Sequence, residues 1–169
     1  MLYGMFRHLA ISFKISRLNM SYVVAGCSAG MVARTGETAE ASTEDFDVTI
    51  EQTNAPVLES GARTTDVRFE IRVKNRTAEP WTIDRIALQS MGGGAYVVPA
   101  RIRTYERVVA PGNEEAFEFW ASADVRHDVI LAKAPITMRT TLYAKTDGNE
   151  RREQFMQSLN GRLTLTGNQ

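Results

Sequence analysis

The stretch DVRFEIRVK, Asp66 to Lys74, decides the fold. Val67, Phe69, Ile71 and Val73 fall on one side of a two-residue repeat, and Arg68, Glu70, Arg72 and Lys74 fall on the other. A helix would scatter these residues around its axis. An extended strand sorts them into an apolar face and a wet face. The segment is therefore predicted as a half-buried antiparallel strand.

The same period extends outward from it. FDVTIEQ (46–52) aligns Phe46, Val48 and Ile50. NRTAEP (75–80) reads as a turn, and Pro80 opposes a helical continuation. WTIDRIALQS (81–90) starts in one phase with Trp81 and Ile83 and resumes in the other with Ile86 and Leu88. That slip predicts a β-bulge near Asp84–Arg85. AYVV (95–98) and RIRTYERVV (101–109) follow a glycine run. A Pro-Gly turn spans 110–113, and EAFEFWAS (114–121) offers Phe117 and Phe119 to a core. Residues 122–135 show no clear period and read as a long connection or a short helix. ITMRTTLYAK (136–145) alternates again, with Ile136, Met138 and Leu142 inward. Asp147-Gly148 and Asn160-Gly161 are hairpin-turn signals. The expectation is an all-β domain over residues 45–169: an antiparallel β-sandwich of about seven to nine strands, immunoglobulin- or fibronectin-III-like in architecture. Strong alternation of strands and helices is missing, which argues against a parallel sheet.

The 169 residues suffice for one domain with its own core, and 43% hydrophobic against 24% charged residues argues against general disorder. The formal net charge is +0 but uneven. Residues 1–26 hold three of the 20 basic residues (Arg7, Lys14, Arg17) and none of the 20 acidic ones, which leaves −3 over residues 27–169. A mildly acidic body without a basic stripe argues against nucleic-acid binding. No apolar run reaches the length of a membrane-spanning helix.

The basic N-terminus is followed by LAISF (9–13) and LNMSYVVAG (18–26), ending in small residues before Cys27, the one cysteine. Charged region, apolar region and small-residue site are the layout of a secretory signal. Val24, Ala25, Gly26 and Cys27 resemble the bacterial lipobox. That resemblance implies a thioether-linked diacylglycerol on Cys27, cleavage before it, and acylation of the new amino group. Two or three chains anchor stably where one is marginal. The competing reading makes Cys27 a buried apolar thiol. Ser28 resembles an outer-membrane sorting signal. Residues 28–44, SAGMVARTGETAEASTE, lack apolar periodicity and are predicted as a flexible tether of about 20–25 Å.

VRFEIRVKNRTAEPWTIDRIALQS, VVAPGNEEAFEF and APITMRTTLY succeed one another in an order that resembles late-embryogenesis-abundant type 14 (water-stress and hypersensitive response) domains. It is also similar to small bacterial lipoproteins of immunoglobulin-like shape. Either resemblance implies a small β-sandwich over about residues 46–166.

Chemistry-bearing motifs are sparse. His127 in DVRHDVIL has Asp124 and Asp128 nearby, but reads as a solvated or capping residue. The DFD at 45–47 and TED at 43–45 lack calcium-loop spacing. SMGGGAY (90–96) lacks the Gly-Lys-Ser/Thr ending of a phosphate loop and precedes a strand, so it reads as a flexible or sharply turned connection. Asn75-Arg76-Thr77 fits a glycosylation sequon, and turn chemistry explains it equally. Arg101, Arg103, Tyr105 and Arg107 alternate along one strand. Their shared face is a candidate surface for an acidic partner or anionic polymer. A solvated strand face that discourages edge pairing is the plainer alternative.

The expected function is that of a non-catalytic cell-envelope lipoprotein. It would be held at the membrane through lipidated Cys27, face the periplasm, bind or assemble with an envelope protein or polymer, and use no cofactor. A soluble stress-protective domain is the alternative, and an enzyme with an unrecognised site is a third.

Overall fold

A computed structural model describes residues 30–32, 38–55, 57–58, 61–126, 134–161 and 164–165. Its strands are β1 (Gly30–Val32), β2 (Thr38–Ser42), β3 (Phe46–Gln52), β4 (Val57–Leu58), β5 (Thr64–Asn75), β6 (Trp81–Gly92), β7 (Tyr96–Val97), β8 (Arg101–Val109), β9 (Glu114–Val125), β10 (Ile136–Thr146), β11 (Asn149–Leu159) and β12 (Thr164–Leu165). One antiparallel sheet runs β1-β2-β3-β5-β9-β7, and a second runs β11-β10-β6-β8. Eight strands are five residues or longer, within the expected seven to nine. The chain is all-β among the described residues, a sandwich of the immunoglobulin-like kind.

Alternation builds the core. Val67, Phe69, Ile71 and Val73 of β5 are buried together with Phe46, Val48 and Ile50 of β3 and Phe117 and Phe119 of β9. From the other sheet come Ile83, Ile86, Leu88, Ile136, Met138, Leu142 and Phe155. Burial of these apolar faces contributes most to holding the sheets together. The bulge lies where the phase slip puts it. Both β10 and β8 shift register against β6 at Asp84, so Trp81 and Ile83 face inward before it and Ile86 and Leu88 after it. Opposite Asp84, β8 carries its own extra residue, and Glu106 takes φ 52°. That left-handed conformation costs a residue with a side chain about 1–2 kcal/mol.

Three expectations need correction. The tether does not extend to residue 44: Thr38–Ser42 is β2, paired along its length with β3, and Ala39 and Ala41 are buried. Small inward residues hid the period there. Asn160-Gly161 does not join β11 to an antiparallel neighbour, because β12 pairs in parallel with β4 instead. Among the described residues this two-residue pair is the one parallel pairing, and the other pairings are antiparallel. Part of the unreadable 122–135 is plain strand, since β9 continues to Val125. Of the two readings of the glycine run, the sharply turned one holds, and the turn is tightly packed. A Cβ on Gly93 would stand 2.4 Å from the Pro135 carbonyl oxygen, and one on Gly94 would stand 1.9 Å from the Ile136 side chain. Both glycines have positive φ, which lets the chain leave β6 and cross to β7 in the other sheet. Asp147-Gly148 is the expected two-residue hairpin, with Thr146 opposite Asn149. Cys27, the preceding signal-like segment and His127 lie outside the described residues.

Candidate functional site

The basic row sits on β8, which ends the second sheet and lies beside β9 of the first. From Ala116 to Trp120, β9 pairs with β5 on one side only. Its backbone carbonyls on the open side would be left to water. The β8 side chains reach across and cap them. Arg103 donates from Nε and Nη2 to the Trp120 carbonyl at 3.2 and 3.0 Å. The Tyr105 hydroxyl donates to the Glu118 carbonyl at 2.7 Å. Arg107 donates from Nη1 to the Ala116 carbonyl at 2.9 Å and from Nη2 to the Glu115 carboxylate at 2.7 Å. The rings beneath add to this: Tyr105 meets Phe117 edge-on at 5.0 Å, and Arg107 lies over Phe117 at 5.3 Å. Burial pushes the Tyr105 phenol up to about 12, against the pull of Arg103 and with the help of Glu118.

The structure thus brings together Arg103, Tyr105 and Arg107, and leaves the exposed Arg101 apart from that seam. These side chains join the two sheets, so their donors face the molecule's own backbone. A partner at this surface would have to compete with those bonds.

A different feature lies round the edge, on the outer face of the first sheet. A depression of about 430 Å³ is lined by Thr53, Asp66, Arg68, Glu70, Glu118 and Trp120, among others. Strand register explains the grouping, because Arg68 stands opposite Trp120, Glu70 opposite Glu118, and Asp66 opposite Ser122. Trp120 is 56% exposed, unusual for so large an apolar ring. The Arg103 guanidinium covers the indole at 3.8 Å from its centroid. The loop after β3 is tied to β5 here. Thr53 N–H donates to the Arg68 carbonyl at 2.9 Å, Asn54 Nδ2 donates to the Asp66 carbonyl at 3.0 Å, and Arg68 N–H donates to Asn54 Oδ1 at 2.7 Å. The alternation of EAFEFWAS already put Trp120 on the face opposite Phe117 and Phe119. An aromatic at an outward position was the available signal.

The outer face of the second sheet carries a third cluster. Arg85 and Arg152 flank Tyr143 in register from the two neighbouring strands, at 4.8 and 5.7 Å from its ring. Asp84 binds Lys145 at 2.9 Å and Arg85 at 2.9 Å, and the Lys145 hydrogen bond leads in holding its carboxyl below the usual range. Lys145 is held above its ordinary value by the same hydrogen bond. The bulge thus carries a surface charge cluster. Among the described residues no three His, Cys, Asp or Glu side chains gather as a metal site, and no helix is long and apolar enough to cross a membrane.

No family model matches the chain, and no curated protein matches it. Solved structures match in fold. A protein from Archaeoglobus fulgidus is 12% identical, with a TM-score of 0.46 over 66% of this chain and 90% of its own. The yeast GGA1 GAE domain–P21 structure is 16% identical, with a TM-score of 0.44 over 70% of this chain and 93% of its own. Spo0M, a sporulation control protein from Bacillus subtilis, is 13% identical, with a TM-score of 0.38 over 71% of this chain and 51% of its own. The likeness is one of fold alone.

Proposed function

We propose that this chain is a lipid-anchored protein of the bacterial cell envelope, whose β-sandwich binds or assembles with a partner rather than catalysing a reaction. The observation that carries the reading is the acid-free basic segment leading through small residues to Val24-Ala25-Gly26-Cys27. The acylated cysteine holds the domain at a membrane surface facing the periplasm, and Ser28 directs it to the outer membrane. β1 opens at Gly30, three residues past Cys27, and that length of chain reaches at most about 10 Å. The sandwich therefore stands against the headgroups rather than on a long stalk.

The test is the intact mass of the protein extracted from membranes, beside a Cys27→Ala variant. A chain that begins at Cys27 and is heavier by two or three acyl groups is the expected result. A free thiol at Cys27 in an uncleaved chain overturns the reading and leaves a soluble domain, for which a stress-protective role is the surviving alternative.

A further inference from the structure

The geometry points to a neutral saccharide as the ligand of the depression beside Trp120. Its ring would stack on the indole, and its hydroxyls would be held by the surrounding side chains. The proposal rests on the binding role proposed above and makes no use of the lipid anchor.

Three observations carry it. The first is the indole itself. Trp120 is 56% exposed in the middle of a charged strand face, an uncommon place for so large an aromatic ring. It is not one corner of a broad apolar patch, since its strand neighbours across β5 and along β9 are Arg68, Glu118 and Ser122. A protein partner that buries apolar area would find a single ring.

The second is that the ring is held in place. The Arg103 guanidinium lies 3.8 Å from its centroid and is itself fixed by two hydrogen bonds to the Trp120 carbonyl. A platform already ordered before binding loses little freedom on binding. The backbone of the opposite wall is equally tied, through Asn54 to Asp66 and Arg68.

The third is the mixture of charges. The wall offers donors on Arg68 and Thr53 and acceptors on Asp66, Glu70 and Glu118. Glu70 is already paired with Arg72 at 2.5 Å, while Asp66 and Glu118 form no ion pair with another described residue. A polyanion meets those carboxylates, and a cation meets Arg68 and the neighbouring Arg103. A hexose suits both signs. Each hydroxyl donates and accepts, and the C–H face of the ring is the apolar surface an indole lacks here. A volume of about 430 Å³ lies within the usual range of small-ligand sites.

The experiment is a calorimetric titration of the full chain with three soluble hexasaccharides, those of N-acetylglucosamine, β-1,4-linked glucose and mannose. Intrinsic fluorescence is followed in parallel. Trp81 is buried and serves as the constant background, so a blue shift reports on Trp120. The expected result is saturable binding of at least one probe, with Kd about 1 mM or tighter. Trp120→Ala should weaken it at least about tenfold, and Glu118→Gln by a smaller factor. Glu118 is exposed, so Glu118→Gln should leave thermal unfolding unchanged, whereas Trp120→Ala loses the Arg103 stack and should lower the unfolding temperature by a few degrees at most. No heat with any probe up to about 10 mM overturns the proposal. Binding that survives Trp120→Ala also overturns it. So does Trp120-dependent binding of a lysine hexapeptide or of phosphatidylglycerol vesicles in preference to the sugars. The mass at Cys27 is independent of all these outcomes, so either proposal can fail without the other.

Discussion

Asn75 uses every hydrogen-bonding position of its side-chain amide. Nδ2 donates to the carbonyls of Glu79 at 2.7 Å and Val109 at 3.0 Å, while Oδ1 accepts from the Thr77 N–H at 2.9 Å and hydroxyl at 2.8 Å. Its backbone joins the turn before β9, through Asn113 and Gly112. The Thr77 hydroxyl so placed receives the Trp81 indole N–H at 3.1 Å. Asn75→Ala should therefore cost about 3 kcal/mol, because buried donors and acceptors are stranded together, and urea unfolding measures it. This residue was legible as turn chemistry but not as a hub, since its partners on Val109 and Gly112 are remote in sequence. Tyr105 and Tyr96 set an alkaline limit. Burial pushes the first phenol up to about 12 and the second further, and the Tyr96 hydroxyl donates to Gln52 at 2.7 Å. A folded pKa raised above the unfolded value near about 10 gives stability that is complete below that pH. It is lost as pH rises through the folded value. Unfolding free energy should fall from about pH 10 to pH 12, and less steeply in Tyr105→Phe. Native ionisation of both phenols near about pH 10, read by ultraviolet absorbance, would contradict this.

Among the elements, β5 and β6 were readable because their inward residues are large and β-branched or aromatic. The bulge at Asp84 was readable because it displaces such residues by one. The opposite case is β2. Its inward residues are Ala39 and Ala41, and an alanine alternating with Glu40 and Ser42 resembles a polar linker. Small residues belong there because a long side chain from β11 needs the space. Gln157 donates to the Val48 carbonyl at 2.8 Å and the Ala39 carbonyl at 3.4 Å, and accepts from the Thr140 hydroxyl at 2.9 Å. Ala39→Asp would place a carboxylate in that buried site and should destabilise by about 3 kcal/mol. In a free tether the same change would stay within about 0.5 kcal/mol, so one denaturation curve separates the two descriptions.

The whole molecule is closed along both flanks by side chains that bond to the other sheet's backbone. On one flank Gln157 reaches β2 and β3, with Thr43 bonded to Glu153 and Arg151 to Asp45. On the other flank Arg103, Tyr105 and Arg107 reach β9. The sandwich class followed from period alone. The flanks did not, because a backbone carbonyl leaves no mark in a sequence, and a row of arginines looks the same whether it faces solvent or a neighbouring strand. The depression at Trp120 was half legible: the outward phase of the ring was visible, but the pairing of β5 with β9 that surrounds it was not. The capped edge has one more consequence. In an antiparallel strand the N–H of a residue points the same way as its carbonyl, so the amides of Ala116, Glu118 and Trp120 face away from β5. The arginines and the tyrosine hydroxyl occupy only the acceptors, and supply none for these amides. Deuterium labelling along β9 should therefore read as a comb, with Ala116, Glu118 and Trp120 exchanging early and Phe117, Phe119 and Ala121 holding their protons until the sandwich opens.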